Sequence, residues 1–472
     1  VTSTLTRSSD EQLSVPDLDE TLTPSQRFLI VTLVAVVALN AGYQFAVGGS
    51  LYLAIAPAAV LIGVGVGLLA LVNFEAFILV LLFGRALLDF SRGKVERSLG
   101  ATTSSGPWAA AASAVLVIAG LLWLAAPRVR AKRSTAEWAM VAFVAACLLS
   151  VLASDQPSRS IVEVARVMAA VVMFAVVRRL VQGNPKVADR VLTAAFASAI
   201  IPLGVAAFQM FAGSGGFQSG GYSRVRGTFV HPNPFAFYLT LLVTMGVALF
   251  PHLRGWRQLA LGAIIAASTG ALLATYTRTG WLALFVALLV VAVLQTRWLI
   301  PVMLCAVVLV VALVPSISGR FSDLGETRTA SGAPSNSLIW RVDYWKQAID
   351  LADRNPVLGI GLKMTQSATD EAKAPHNDVI RAYAETGVLG LGAYLAMVGA
   401  LITIAFTALR NASAGRERGI AVGFAGCVVA FCLFSLVSNV ASQVVLLWYF
   451  FAFAAVATAI GTPEAGAGPS RQ

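Results

Sequence analysis

SISGRFSDLGETRTASGAPSNSLIWRVDYWKQAIDLADRNPVLGIGLKMTQSATDEAKAPHNDVIRAYAE, residues 316–385, is the one long polar segment between apolar spans. Apolar runs of roughly 17 to 25 residues recur from Phe28 to Ile460 on both sides of it, long enough to cross a hydrocarbon core as helices. The pattern predicts an all-α polytopic transmembrane bundle with one large loop. Inside the loop, residues 337–353 read as a helix lying in the membrane interface. Ile339, Trp340, Tyr344, Trp345, Ile349 and Leu351 alternate there with Arg341, Asp343, Lys346 and Asp350, which suits aromatic rings at headgroup level. Asn355-Pro356 ends that helix, and Gly359 and Gly361 allow the chain to turn back sharply.

The composition agrees. Of 472 residues 58% are hydrophobic and 12% charged, about half the charged fraction of a soluble protein. Mean hydropathy is +0.79. The formal charge of +11 is spread over short loops rather than gathered in one stripe, so membrane topology accounts for it better than nucleic acid does. The four cysteines, Cys147, Cys305, Cys427 and Cys432, fall inside apolar spans and read as packing residues.

Spans are expected near 28–47, 50–70, 73–88, 107–126, 136–152, 161–180, 190–212, 234–250, 258–276, 280–295, 298–315, 384–408, 419–437 and 442–460. That makes about 12–14 spans, the joints near Asn73 and Trp298 being the least distinct. Residues 1–27 read as a disordered cytosolic tail, 28–460 as a single integral membrane domain and 461–472 as a second cytosolic tail. Alternate loops carry basic clusters: Arg128 to Arg133, Arg178 to Arg190, Arg254 with Arg257, Arg297, and Arg410 to Arg418. The positive-inside rule makes their side cytosolic. Segments 89–106, 153–160, 213–233, 277–280 and 316–383 then face outward.

Arg224, Arg226, Arg278, Arg320, Arg341 and Arg381 break that charge rule, because they lie on the outward side. Long loops escape the rule, but Arg278 sits in a turn of about four residues and Arg226 leads straight into a span. An arginine against hydrocarbon is costly without a partner or a task. In Arg224-Val-Arg226-Gly-Thr-Phe-Val-His231-Pro-Asn233-Pro, the prolines stop a helix and Asn233 suits a helix start. Arginines beside an outward helix N-terminus make a fitting anion site. His231 reads as structural, and His252 as a bland loop residue. His376 stands just before Asn377 or Asp378, either of which could cap the next helix, whose positive end favours a neutral imidazole able to accept a proton. Glu163 and Arg166, three apart near the outer end of one span, either pair with each other or line a cavity.

Taken in order, Arg226-Gly-Thr-Phe-x-x-Pro-Asn233, Thr277-Arg-Thr-Gly280, Arg341-x-x-x-Trp345, Asn355-Pro-x-x-Gly-x-Gly361, His376-Asn377 and Ala384-Glu-Thr-Gly-Val-Leu-Gly390 resemble the O-antigen ligase family over residues 220–395. The resemblance implies a metal-independent glycosyltransferase without cofactor. It would move a glycan from an undecaprenyl diphosphate donor to a hydroxyl on a glycolipid or glycan acceptor, at the outer face of the cytoplasmic membrane. It also implies that Arg226 and Arg341 bind the diphosphate, with Arg278 and Arg224 beside them, that His376 is the catalytic residue, and that Asn233, Asn377 and Arg381 support them. His231 departs from the family, where many members have Asn. A polymerase of lipid-linked repeat units on the same scaffold is the nearest alternative. A solute or bicarbonate transporter is another, although a carrier places its polar residues near the midplane.

Overall fold

The computed structural model describes residues 51–88, 107–126, 134–213, 216–219, 222–313, 337–369 and 375–461. The tails, the expected span 28–47, the loop 89–106, the basic cluster at 128–133 and much of the polar stretch before 337 lie outside them. The chain forms two compact units, Val1–Asn73 and Phe74–Gln472. The first contributes one described helix, α1 (Leu51–Val72), which ends at the expected break by Asn73.

In the second unit the helices follow the apolar runs closely. They are α2 (Phe74–Arg85), α3 (Pro107–Ala125), α4 (Thr135–Ser150), α5 (Pro157–Gly183), α6 (Lys186–Ala197) and α7 (Ile200–Phe211). A two-stranded hairpin, β1 (Phe217–Ser219) and β2 (Tyr222–Arg224), precedes α8 (Pro232–Leu249), α9 (Trp256–Ala274), α10 (Arg278–Leu294) and α11 (Leu299–Leu313). The loop contributes α12 (Ser337–Asp353) and a single turn, α13 (Thr365–Ala368). Then come α14 (Asp378–Asn411), α15 (Arg416–Val437) and α16 (Val444–Gly461). Among the described residues eight helical stretches are long and apolar enough to cross a membrane, and four shorter apolar helices accompany them. This is an all-α polytopic bundle. One expected span is broken: 190–212 divides into α6 and α7 around Ser198–Ala199, with Pro202 in the first turn of α7, where a missing N–H is tolerated.

A helix apolar on every side belongs in the middle of a bundle. α16 is such a helix, and from Val444 to Ala457 its residues are buried. It packs along α5 and α14, while α15 packs along α8 and α10. Small residues allow the second contact: a Cβ on Gly423 would fall 2.7 Å from the Met245 sulfur, and one on Gly426 2.6 Å from Thr244 Cγ2.

The turn after α12 enters a break in α14. Gly387 has φ 63° and ψ −166°, which interrupts the helix and frees carbonyls below it. The turn uses them: Ile360 N–H donates to Ala384 O at 3.0 Å and Gly361 N–H to Glu385 O at 3.0 Å. In return Val388 N–H donates to Pro356 O at 2.8 Å. The contact leaves no room for a side chain, since a Cβ on Gly387 would lie 2.2 Å from Val357 O and one on Gly359 2.5 Å from the Glu385 carbonyl carbon. Asn355-Pro-x-x-Gly-x-Gly and Glu385-Thr-Gly-Val-Leu-Gly are thus two halves of one joint.

Candidate functional site

The site lies at the end of the bundle where α8, α10 and α14 begin. Its base is the segment after β2. Val225 N–H donates to Ala274 O at 3.0 Å, which ties the segment to the end of α9. The buried Arg224 guanidinium donates from Nε to Thr275 O at 2.8 Å, and from one Nη to Asn233 Oδ1 at 3.0 Å and Thr277 Oγ1 at 2.9 Å. Arg224 and Asn233 therefore join three segments: the hairpin, the α9–α10 turn and the start of α8. Thr277 of the Thr-Arg-Thr-Gly motif is a partner in that joint, and the next residue, Arg278, opens α10.

Arg226 is held from both sides. Gln209 of α7 accepts the N–H of Arg226 and of Gly227 on Oε1, each at 3.0 Å, and returns Nε2 to Gly227 O at 2.9 Å. The half-buried Arg226 side chain donates Nη1 to Val230 O at 3.2 Å. Thr228 Oγ1 donates to Ala86 O at 2.6 Å, just past the end of α2, where Arg85 lies buried with its guanidinium 5.6 Å from the Trp448 ring centre. Sequence reasoning missed Gln209. Its only signal is a carboxamide between Phe208 and Met210 in an apolar run, which a membrane helix keeps when it has a use.

His231 caps α8, its Nδ1 accepting Asn233 N–H at 3.2 Å. Burial, and then the charges of Arg224, His376 and Arg226, push its imidazole down to about 4. His231 is therefore neutral near pH 7, and the charges that depress it bring Arg226 and His376 to the same place.

α12 carries Arg341 and, one turn on, Trp345. Trp345 Nε1 donates to Pro375 O at 2.6 Å, fastening this face of α12 beside His376. Ala348 and Ala352 pack on Ala384 of α14. Tyr344 is buried, its hydroxyl 2.6 Å from Thr369 Oγ1. Of the aromatic rings expected at headgroup level, this one is covered by protein, beside Thr365 and Thr369. Burial, followed by the nearby Arg278 guanidinium, holds the Arg341 guanidinium below the usual arginine range. Arg278 and Arg341 are thus near enough for their charges to interact.

His376 has φ +54°, a conformation in which histidine is among the better tolerated non-glycine residues. Asn377 caps α14, its Oδ1 accepting Val379 N–H at 2.9 Å and Ile380 N–H at 3.1 Å. The side-chain amide of Asn439, in the turn before α16, stands 3.5 Å from His376 Nδ1. Asp378 Oδ2 accepts Ala441 N–H at 3.0 Å from the same turn. Asn439 was also missed; its signal is the polar pair Ser438-Asn439 between two apolar helices.

Arg381 points into α14 and α5 instead. Its Nε donates to Glu385 Oε2 at 2.8 Å, and an Nη lies 3.7 Å from Glu163 Oε1. Glu163 also takes Arg166 Nη1 at 2.7 Å, and Thr365 Oγ1 donates to Glu385 Oε1 at 2.6 Å. The pairing alternative for Glu163 and Arg166 is the one realised, enlarged by Arg381. Among the described residues no group of His, Cys, Asp and Glu is arranged to hold a metal ion.

Fold and site together define a polytopic helical membrane protein with a basic, histidine-containing site built at one end of its bundle. Residues 262–395 match the family described as O-Antigen ligase. This part of the chain is similar to that family's domain, and the match covers less than a third of the chain. The match includes Arg278, Arg341, His376, Asn377 and Arg381, and begins after Arg224, Arg226 and Asn233. No curated protein matches the chain.

Proposed function

We propose that the protein transfers a glycan from a polyprenyl diphosphate to a hydroxyl acceptor at the outer face of the cytoplasmic membrane, with both termini in the cytosol. The observation that carries this reading is the Trp345–Pro375 hydrogen bond, which sets the Arg341 face of α12 beside His376. Arg278 lies near enough for its charge to lower the Arg341 guanidinium, and a diphosphate bound by the two would be gripped by paired hydrogen bonds. Arg226, with its backbone clamped by Gln209, is a third donor already in position. Arg224, Asn233, Asn377 and Arg381 act through other residues in this reading, because they hydrogen-bond inside the fold.

His376 is the base. As the acceptor oxygen bonds to the anomeric carbon, the carbon–oxygen bond to the diphosphate breaks, the hydroxyl proton passes to His376 and the arginines hold the leaving charge. Asn439 suits this role with its amide turned so that Oδ1 faces His376. Oδ1 is buried and otherwise lacks a hydrogen-bond partner among the described residues. It would accept Nδ1–H and leave Nε2 free to take the proton. A site at the end of the bundle favours this chemistry over a carrier, whose polar residues belong near the midplane.

The test is the lipid content of membranes after the gene is deleted. Accumulation of full-length polyprenyl-diphosphate glycan supports the ligase. Accumulated single repeat units would instead assign a polymerase, and no accumulation of either would overturn glycan transfer.

A further inference from the structure

The end of the bundle opposite the candidate site carries a second feature. α8 runs from the site to His252 and α9 returns from Trp256, so their joint lies a full helix length away. There a lateral groove of about 1550 Å³ opens between α2, α6 and α9. That is larger than the roughly 300–1,000 Å³ of a small-molecule pocket. Its walls are apolar, with Val80, Phe83, Ile200 and Ile264 among them.

Its rim is basic. Lys186, Arg190, Arg254, Arg257 and Arg416 line it. Two carboxylates answer these five cations: Asp189 pairs with Arg416, and Glu75 with Arg190 at 2.7 Å. Lys186, Arg254 and Arg257 are exposed, and Arg257 lies over the ring of the exposed Trp256, 5.9 Å from its centre. An indole beside a guanidinium at a helix start is the composition of a membrane interface. Depth fits one leaflet as well. From Glu75 to Phe83, α2 rises about 12 Å, close to half of a hydrocarbon core of about 30 Å.

We infer that this groove binds one anionic phospholipid of the leaflet farther from the candidate site, with its headgroup on Lys186, Arg254 and Arg257 and an acyl chain between α2, α6 and α9. A basic pocket between membrane helices recognises such headgroups by charge, while the apolar wall accepts the chain. The binding stands whether or not the protein transfers glycans, because it uses none of the residues placed in that reaction.

The test is native mass spectrometry of the purified full chain, titrated in detergent with phosphatidylglycerol or phosphatidylethanolamine. One phosphatidylglycerol should be retained in preference. Lys186→Gln, Arg254→Gln and Arg257→Gln should each weaken retention roughly fivefold, the size of one basic side chain's attraction to an anionic lipid. Ala260→Trp, which fills the groove and leaves every charge in place, should also lower it. Equal retention of the two lipids, or retention untouched by the charge variants, would overturn the inference. So would displacement by inorganic phosphate, which makes the rim a site for a free anion, or by polyprenyl phosphate, which makes the occupant a different lipid. A response to charge without one to Ala260→Trp would place the lipid on the surface and also overturn it.

Discussion

Arginines at the site end of the bundle fall into two sets that answer their charge in opposite ways. Arg166 and Arg381 sit against carboxylates, Glu163 and Glu385, in a buried network fastened further by Thr365. Arg341 is instead set beside Arg278. Burial charges the first set a full desolvation penalty, and Arg278 and Arg341, half-buried, incur part of one. The first set meets that penalty within the protein and so holds α5, α14 and the loop together. The second, Arg341 with Arg278 and Arg226, is the set we assign to the donor's diphosphate.

The largest effect should come from the second set. Arg341→Ala or Arg226→Ala should reduce glycan transfer by roughly 10³-fold or more, the scale on which a charge-stabilising arginine acts on phosphate chemistry, with the protein still inserted and abundant. Lysine should rescue poorly, because an ammonium lacks the planar fork. Wild-type transfer by both Arg226→Lys and Arg341→Lys would dissolve the contrast. His376→Gln should follow, losing about 10² to 10⁴ in turnover while donor binding survives. The assay is purified protein with lipid-linked glycan, acceptor and excess chelator. Near-normal turnover would return His376 to a purely structural place in the loop.

The first set should register in stability. Arg381→Met leaves the buried Glu385 without its cation, while Glu163 keeps Arg166, and should cost about 3–5 kcal/mol, read as a lowered melting temperature in detergent. Adding Glu385→Gln should recover part of it. An unchanged melting temperature with transfer lost would move Arg381 into the substrate-binding set. The smallest effect concerns His231, whose imidazole lies at about 4 against an ordinary 6.5. Between those values the unfolded chain binds the proton and the folded chain does not, so stability falls as pH drops from 6.5 toward 4. His231→Asn keeps a good cap and should flatten that slope. An equally steep slope in the variant would assign the acid sensitivity to another group.

The helices were legible because each is a continuous apolar run, and even the joint at Asn73 and the limits of α12 could be read from composition. Arg226, Arg278 and Arg341 stood out because charge on the outward side needs a reason. What could not be read was pairing at a distance. Arg381 looked like another outward arginine; its partner Glu385 is local, four residues on, but the Glu163 that completes the network lies far off in the chain, on α5. Gln209 and Asn439 are single carboxamides whose importance rests on the backbone or ring they meet, and no local pattern announces that. Tyr344 was placed in the interface because its helix carries aromatics; the alanines that bring α14 against it are individually uninformative.

The joint at Gly387 also bears on how such proteins can be recombined. Turn 355–361 supplies the hydrogen bonds that the interrupted part of α14 cannot make for itself, and Gly387 lies against the Val357 backbone while Gly359 lies against that of Glu385 and Thr386. Residues 355–390 therefore behave as a lock and its key carried on one strip of chain. A chimera that exchanges the large loop but cuts between Gly361 and Gly387 joins a key to a foreign lock. A cut before Asn355 and after Gly390 transfers both, together with His376.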